Sequence, residues 1–185
     1  CVQEWDWYIN YATGDTICWR ITGWEYSSDN KIFTMFIRKG VTWNDGHPYT
    51  SKDISFTLQM VKERTSLGGS QYINEWVDSV QTPDDFTIII TLKKPNPRFH
   101  HTFRMWGYLP YIAAEHIWED KDPESFKNWP PIDTGPYKLF GVYPDQNLFV
   151  WERRDDYWGK ELGVFPTPKY AVWRCYPAQD VDLED

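Results

Sequence analysis

The stretch that decides the fold is Val41–Val61, "VTWNDGHPYTSKDISFTLQMV". It places Trp43, Asp45 and His47 within five residues, beside a glycine and a proline. These residue types suit a catalytic or metal site, and they also suit the joint between a strand and a helix. The Asp-Gly pair predicts a chain reversal, because glycine tolerates the positive φ that such turns need. We therefore interpret the three side chains as parts of a strand-to-helix connection.

A helix is predicted directly after this connection. Thr50 has the position of an N-cap, and Asp53 three residues later approximates a capping box. The apolar stripe of a surface helix follows at i, i+4 and i+7, as Ile54, Leu58 and Val61. We expect this helix to end near residues 67–69, where two glycines follow Leu67.

Three β-hairpins are predicted from β-rich runs that flank turn residues, and the second of them also shows alternation along residues 86–92. They pair Trp24–Tyr26 with Ile32–Ile37, the two halves of Val77–Leu92 about a turn at 82–85, and Tyr137–Tyr143 with Leu148–Arg153. Residues 169–175 predict one more strand, and short helices are expected after the prolines at 95 and 97 and from Asp122. Strands with interleaved short helices indicate a mixed α/β (α+β) fold.

The charge and the lack of a long apolar run argue against two classes of protein, nucleic-acid binders and membrane-spanning proteins. The chain has 185 residues, a formal charge of -8 and no basic stripe, which argues against a general nucleic-acid binder. No apolar run approaches the ~18 residues that a membrane span needs. No signal peptide is recognisable at the start, so we expect either a cytosolic protein or one whose targeting segment has been removed.

Aromatic residues are unusually frequent, with 12 Trp, 12 Tyr and 10 Phe. Most of them are expected in the core. Tryptophan, however, is often half exposed at binding surfaces, where flat rings stack on sugar faces or peptide side chains. The composition therefore favours ligand binding.

Cys1, Cys18 and Cys175 permit at most one internal disulfide, and whether Cys18 and Cys175 pair is left open. No CxxC spacing is present, which argues against a zinc cluster or a redox dithiol. Cys1 has the position of the lipid-bearing cysteine of a bacterial lipoprotein, and a sequence that merely begins there is the simpler explanation.

Side chains with catalytic or metal-binding chemistry form no known motif. His100-His101 with Glu115-His116 is the best metal candidate, but adjacent helical residues point about 100° apart, so the first two do not easily share one ion. The carboxylate pairs Asp155-Asp156 and Glu119-Asp120 are the kind that glycoside hydrolysis needs, yet neighbouring acids rarely oppose one another across a substrate. We expect no enzyme activity, no catalytic residue, no metal and no cofactor.

Three ordered stretches resemble the family 5 extracellular solute-binding proteins, the oligopeptide- and dipeptide-binding components of bacterial ABC importers. The first is "GWEYSSDNKIFTMFIRKGVTWNDGHPYTSKDISFTL", with Trp-Glu before a turn, a strand ending in Arg-x-Gly-Val, and then Trp43, Asp-Gly, Pro48 and an aromatic. The others are "IIITLKKPNPRF" and "DTGPYKLFGVYPDQNLFVWERRDDYWG". The resemblance runs from about Trp19 to Tyr176, and Asp133 departs from it because the family usually has glycine there.

The resemblance implies an incomplete lobe of a periplasmic-binding-protein type II-like fold, as in cluster C solute-binding proteins. Family members are considerably longer, so we expect a fragment of the first lobe. Its expected parts are a strand segment of the central lobe at 1–22, a mixed α/β sub-domain of lobe one at 23–131, and a hairpin and strand returning to the central lobe at 132–185.

The resemblance also implies a function, which is capture of oligopeptides outside the cytoplasmic membrane for import, with an ABC permease as partner. The protein is expected in the periplasm or on the outer face of the membrane, secreted or lipid-anchored, and as a monomer. Candidate ligand-binding residues are the aromatics Trp106, Tyr108, Tyr111, Trp5 and Trp7. The alternatives are an oligosaccharide-binding member of the family, a carbohydrate-active hydrolase with aromatic platforms, or a carbohydrate-recognition module.

Overall fold

A computed structural model describes residues 3–104, 107, 109 and 111–175. These residues form a mixed α/β structure of three antiparallel sheets with short helices between the strands, which confirms the predicted fold class. The strands are β1 (Trp7–Ile9), β2 (Thr16–Cys18), β3 (Ile21–Tyr26), β4 (Ile32–Ile37), β5 (Val77–Asp84), β6 (Thr87–Leu92), β7 (Tyr137–Tyr143), β8 (Leu148–Arg153) and β9 (Tyr170–Arg174). The α-helices are α1 (Ser51–Glu63), α2 (Ser70–Trp76) and α3 (Glu115–Trp118), and 3₁₀ helices span Phe99–Phe103, Pro144–Gln146 and Trp158–Leu162.

The main core lies on the four-stranded sheet, whose strand order is β3-β4-β6-β5. Side chains alternate along each strand, so one face of β4 and β6 is buried and the other is more open. Phe33 and Met35 of β4 pair in register with Ile90 and Ile88 of β6, and all four are fully buried. Helix α1 adds the predicted stripe to this core, as buried Ile54, Leu58 and Val61.

The capping box of α1 is present as predicted. The Thr50 backbone N–H donates to Asp53 Oδ2 over 2.8 Å, and the Thr50 side chain accepts from the first turn of the helix. Asp53 also accepts the N–H of Glu115 through Oδ1 at 2.9 Å. One carboxylate therefore fixes the start of α1 and the start of α3 together.

The connection before α1 is a closed turn, as the sequence predicted. Gly46 has φ +93°, and its N–H donates to Trp43 O at 3.0 Å. The Trp43 N–H in turn donates to His47 O at 2.8 Å. Trp43 is 1% exposed and packs edge-on against Tyr49, so it belongs to the core.

Buried arginines join this connection to the two ends of the described chain. Arg20 Nε lies 3.1 Å from Asp6 Oδ1, and both side chains are almost fully buried. Arg154 donates to the backbone oxygens of Thr42, Trp43, Thr134 and Gly135 at 3.0–3.4 Å. Because the Tyr49 hydroxyl donates to Asp6 Oδ1 at 2.7 Å, the strand-to-helix connection is held between the N-terminal segment and the segments that flank the β7–β8 hairpin.

A second buried acid completes this network. Glu4 accepts from Trp19 Nε1 and Thr134 Oγ1, both at 2.9 Å, and from the Tyr157 hydroxyl. Burial raises the pKa of Glu4, and these hydrogen bonds oppose the rise because they favour the charged form. Residues more than 100 positions apart therefore share one polar cluster.

Two helix predictions were wrong. Helix α1 ends at Glu63 rather than near residues 67–69, because Arg64 is extended and residues 64–70 form successive turns before α2. No helix begins at Asp122, where one turn closes as the Phe126 N–H donates to Asp122 O at 2.9 Å. Asn128 at φ +42° and the two following prolines prevent continuation, since proline supplies no backbone donor.

The three predicted hairpins and the strand near 170 are confirmed, as is a short 3₁₀ helix after the prolines. Each sheet lies within one of the expected parts, except that β3 begins at Ile21, just before the boundary at 22/23. The division into 1–22, 23–131 and 132–185 itself stays a prediction. Among the described residues, none of the helices combines the length and apolar character that crossing a membrane requires.

Replacing the N-cap is expected to destabilise the fold. Thr50→Ala removes a cap side chain and should lower the free energy of unfolding by about 1 kcal/mol. Urea denaturation followed by circular dichroism measures it. Thr65→Ala, at an exposed turn position after α1, is the control and should change little. Equal effects of the two variants would contradict the role of the cap.

Removing one partner of the buried ion pair should lower the free energy of unfolding more than breaking an ion pair on the surface does. Arg20→Met leaves Asp6 buried without its cation and is expected to lower the free energy of unfolding by about 3–5 kcal/mol. Lys52→Met breaks the exposed pair with Asp85, whose side chains are 61% and 55% exposed, and should cost under about 1 kcal/mol. Chemical denaturation of both variants compares them, and a small loss in Arg20→Met would show that Asp6 does not depend on Arg20.

Candidate functional site

The N-terminal strand runs beside the segment that leads into the aromatic run 105–111. Trp7 forms a parallel bridge with Arg104, and the Asp6 N–H donates to Phe103 O at 3.3 Å. The candidate aromatics at 5–7 therefore lie on a segment that pairs with residues 103–104. Trp106 and Tyr108 themselves lie outside the described residues.

Of the remaining candidates, Trp7 is a core residue. It is 2% exposed, its Nε1 donates to His100 O at 2.9 Å, and its ring packs against Trp24. Trp5 is half-buried, and Tyr111 is 39% exposed. Trp5 and Tyr111 thus keep surface that a ligand can reach, whereas Trp7 does not.

Tyr111 opens onto a cavity of about 190 Å³, called here the Tyr111 cavity. Its lining combines the N-terminal segment, the segment before α3, α3 itself and the segment before β7: Gln3, Tyr111, Ile112, Ala113, Trp118, Asn128, Pro131, Ile132 and Asp133. The Tyr111 ring lies 6.4 Å from the ring of Trp118, which is buried. The cavity therefore has an aromatic and aliphatic wall with one acid, a composition typical of small-molecule sites.

Asp133 is that acid, and the sequence did not identify it as a functional residue. Burial raises its pKa to about 7, while the charge of Arg20 and a hydrogen bond from the Thr134 N–H oppose the rise. Its backbone oxygen accepts the N–H of Asn44 at 2.9 Å, so the strand-to-helix connection holds it in place. The only sequence signal was its departure from the glycine usual in the resembling family.

A second, larger cleft is called here the Arg104 cleft. Its volume is about 650 Å³, and its lining is Tyr72, Trp76, Asn96, Arg98, His101, Arg104 and Gly107. Within the described part of the chain, Arg104 Nε and His101 Nδ1 are buried without a hydrogen-bond partner. Two arginines beside a histidine make the cleft suitable for an anionic group.

The metal candidate from the sequence is not assembled. The Tyr26 hydroxyl lies 3.0 Å from His100 Nδ1, and burial lowers the pKa of His100 to about 4, helped by the nearby charges. Its ring stacks on Trp24 with 4.7 Å between ring centroids. His116 instead places Nε2 2.7 Å from Asp45 Oδ2, so it belongs with the turn before α1.

The two carboxylate pairs lie on the protein surface. Asp155 and Asp156 each pair with the arginine two residues earlier, Arg153 and Arg154, over 3.1 and 3.4 Å. Their side chains are 83% and 69% exposed, so neither carboxylate lies in an enclosed groove where it could act on a substrate. Glu119 and Asp120 line an open cleft of about 420 Å³ beside His116.

Comparison with protein families gives a match over most of the chain. The model of the bacterial extracellular solute-binding proteins, family 5 (Middle), matches residues 18–183. A probable peptide-binding protein, YejA, of Agrobacterium fabrum is 29% identical over 172 residues, covering 88% of this chain and 27% of that protein. A putative ABC transporter peptide-binding protein of Brucella ovis is 36% identical over 129 residues, which cover 66% of this chain and 23% of that protein.

Solved structures agree with the sequence relatives. A periplasmic oligopeptide-binding protein of an oligopeptide ABC transporter from Thermotoga maritima superposes with a TM-score of 0.83 at 25% identity, over 96% of this chain and 32% of that chain. A structure of that protein with mannohexaose bound gives a TM-score of 0.81 at 26% identity, over 92% of this chain and 31% of that chain. The chain therefore spans about a quarter to a third of the length of these proteins.

The raised pKa of Asp133 predicts a specific pH dependence. Between its usual value of 3.8 and about 7, the folded state holds a proton that the unfolded state releases, so this residue lowers stability as the pH rises. Asp133→Asn should increase the free energy of unfolding by about 1–2 kcal/mol at pH 8 and change little at pH 4. Denaturant titrations at several pH values measure it, with the exposed Asp145→Asn as control. A pH-independent effect would contradict the assignment.

Proposed function

Because the chain belongs to the bacterial extracellular solute-binding proteins of family 5, we propose that it forms part of the substrate-binding component of an ABC importer that captures oligopeptides outside the cytoplasmic membrane. Related proteins of Agrobacterium fabrum and Brucella ovis are named as peptide-binding, which supports this cargo. An ABC permease in the membrane is the proposed partner. We also propose a monomer located in the periplasm or on the outer face of the cytoplasmic membrane.

One observation carries the proposal, which is the composition of the Tyr111 cavity. Segments far apart in sequence converge on it, and it presents an exposed ring beside a partly buried acid. Its volume of about 190 Å³ is below the ~300–1,000 Å³ of a complete ligand pocket. We propose that it is half of a site, which a second lobe closes so that contacts made only in the closed state stabilise the complex.

The chemistry of the two openings fits the two ends of a peptide. The Arg104 cleft offers guanidinium groups that suit a carboxylate, and Asp133 offers an acid that suits an ammonium group. We propose that aromatic side chains of the stretch 105–111 supply flat surface for ligand side chains, with Tyr111 among the described residues and Trp106 and Tyr108 assigned from sequence alone. Trp5 is the fourth proposed contact, and Trp7 is left out because it is buried.

Oligosaccharide is the second candidate cargo. The similar Thermotoga maritima protein has been solved with mannohexaose bound, and exposed tyrosine and tryptophan rings suit sugar faces. A hydrolase is not supported, because the family and the relatives are named for binding and because Asp155 and Asp156 are exposed and paired with arginines. Both cargo classes use the same proposed site.

Substitution at the exposed ring tests the site in the longer protein. Tyr111→Ala should weaken peptide binding about tenfold or more, since truncation of a contact aromatic typically costs over 1 kcal/mol. Isothermal titration calorimetry with a peptide mixture, and separately with mannohexaose, measures it and distinguishes the two cargo classes.

The matched control is Tyr143→Ala, because Tyr143 is 42% exposed at the end of β7, away from the cavity lining. The affinity of this variant for peptide should equal that of the unsubstituted protein. Unchanged affinity in Tyr111→Ala, with unchanged thermal stability, would remove the Tyr111 cavity from the ligand site. Release of reducing sugar from the oligosaccharide would instead indicate an enzyme.

A further inference from the structure

Three polar side chains converge beside the start of α1, and we call them the Asp45 cluster: Asp45, His47 and His116. One ligand atom from each lies within 4.8 Å of the other two. His116 Nε2 is 2.7 Å from Asp45 Oδ2, and His47 Nδ1 is 3.4 Å from Asp45 Oδ1. The two imidazole rings stack with centroids 4.0 Å apart, so two imidazoles and one carboxylate are held close together.

The backbone holds the cluster in place before any ligand arrives. The His47 N–H donates to Asp45 Oδ1 at 3.1 Å, and the turn is closed by the bonds between Trp43, Gly46 and His47. On the other side, α3 begins where the Glu115 N–H donates to Asp53, the capping residue of α1. Both elements that carry the cluster are therefore tied to the same helix start, which limits the reorganisation that binding would cost.

Accessibility distinguishes the cluster from the buried polar network. The His47 side chain is 59% exposed, and those of His116 and Asp45 are 26% and 23% exposed. Zinc–nitrogen bonds are about 2.0–2.1 Å long, so the ligand atoms must move closer together to bind one ion. Side-chain rotation is sufficient for this movement, and the exposed His47 is free to rotate. His116 also lines the open cleft of about 420 Å³, where water or a small ligand can complete a coordination sphere.

We propose that the Asp45 cluster binds one divalent transition-metal ion. Two imidazoles with one carboxylate suit Zn²⁺, Ni²⁺ or Cu²⁺ and not Mg²⁺, which prefers oxygen ligands in octahedral geometry. The ion would sit between the strand-to-helix connection and α3, outside the Tyr111 cavity. The competing explanation is purely structural, in which the bond from His116 to Asp45 only pins α3 to the turn.

Direct titration tests the proposal. The chain is treated with EDTA, dialysed and titrated with Zn²⁺ or Ni²⁺ by calorimetry, with Mg²⁺ as the hard-cation comparison. We expect one Zn²⁺ or Ni²⁺ per chain with a micromolar or lower Kd, and no binding of Mg²⁺ below millimolar concentration. Lack of one-to-one Zn²⁺ or Ni²⁺ binding would overturn the proposal.

Substitutions assign the ligands. His47→Asn and His116→Asn should each weaken binding tenfold or more, and Asp45→Asn, which can keep the turn, should do the same. Asp145→Asn is the matched control for Asp45→Asn, because Asp145 is exposed in the 3₁₀ turn between β7 and β8, outside the cluster, and this variant should bind the metal as the unsubstituted chain does. Cys18→Ser and Cys175→Ser check the free thiols, and loss of binding in these variants alone would overturn the assignment.

A thermal shift separates metal binding from the structural explanation. Zn²⁺ should raise the Tm of the unsubstituted chain more than that of His47→Asn, while the two metal-free Tm values should agree because His47 is exposed. Equal shifts in both would overturn the proposal. A lower metal-free Tm in His116→Asn with undiminished metal affinity would support the structural explanation and overturn the proposal as well.

Discussion

The structure depends on buried arginines that bind backbone oxygens and carboxylates from distant parts of the chain. Arg154 holds the Val41–Val61 connection to the segment before β7, and Arg20 holds Asp6 of the N-terminal segment. A buried guanidinium is tolerated only when most of its donors are satisfied, so each arginine fixes the position of everything that it contacts. Hydrophobic burial forms the core of the four-stranded sheet, but this polar cluster sets how the N-terminal strand and the β7–β8 hairpin sit against it.

The same cluster positions the proposed ligand surface. Asp133 precedes Thr134, whose hydroxyl binds Glu4 and whose backbone oxygen binds Arg154. The Tyr111 cavity is therefore built on residues whose partners lie in the core, which keeps its wall preorganised. A preorganised half-site loses little conformational entropy when a second lobe closes over the ligand, so more of the contact free energy appears as affinity.

Local features of the fold were predictable from the sequence. The capping box of Thr50 and Asp53 and the alternation along β4 and β6 follow from rules that involve only near neighbours, and all three are present. Helix α2 was not predicted, because seven residues give too little periodicity to detect. The helix expected from Asp122 had a good start signal, but the conformation of Asn128 and the prolines after it limit it to one turn.

The candidate site was predictable in part, for a physical reason. Aromatic content and the stretch 105–111 pointed to a region, and Tyr111 is exposed there as a contact residue must be. Three features depend on contacts between residues far apart in sequence. They are the burial of Trp7, the packing of several segments around Asp133, and the stacking of His47 on His116. Such contacts arise only when the sheets pack, so spacing within a single stretch carries no information about them.

The central claim is that this chain supplies one wall of a ligand site that a second lobe must complete. Calorimetry with the same oligopeptides on the isolated 185-residue chain and on the longer protein tests it most directly. The account predicts clear binding by the longer protein and none detectable by the isolated chain, given an intact fold by circular dichroism. Tight binding by the isolated chain would contradict it.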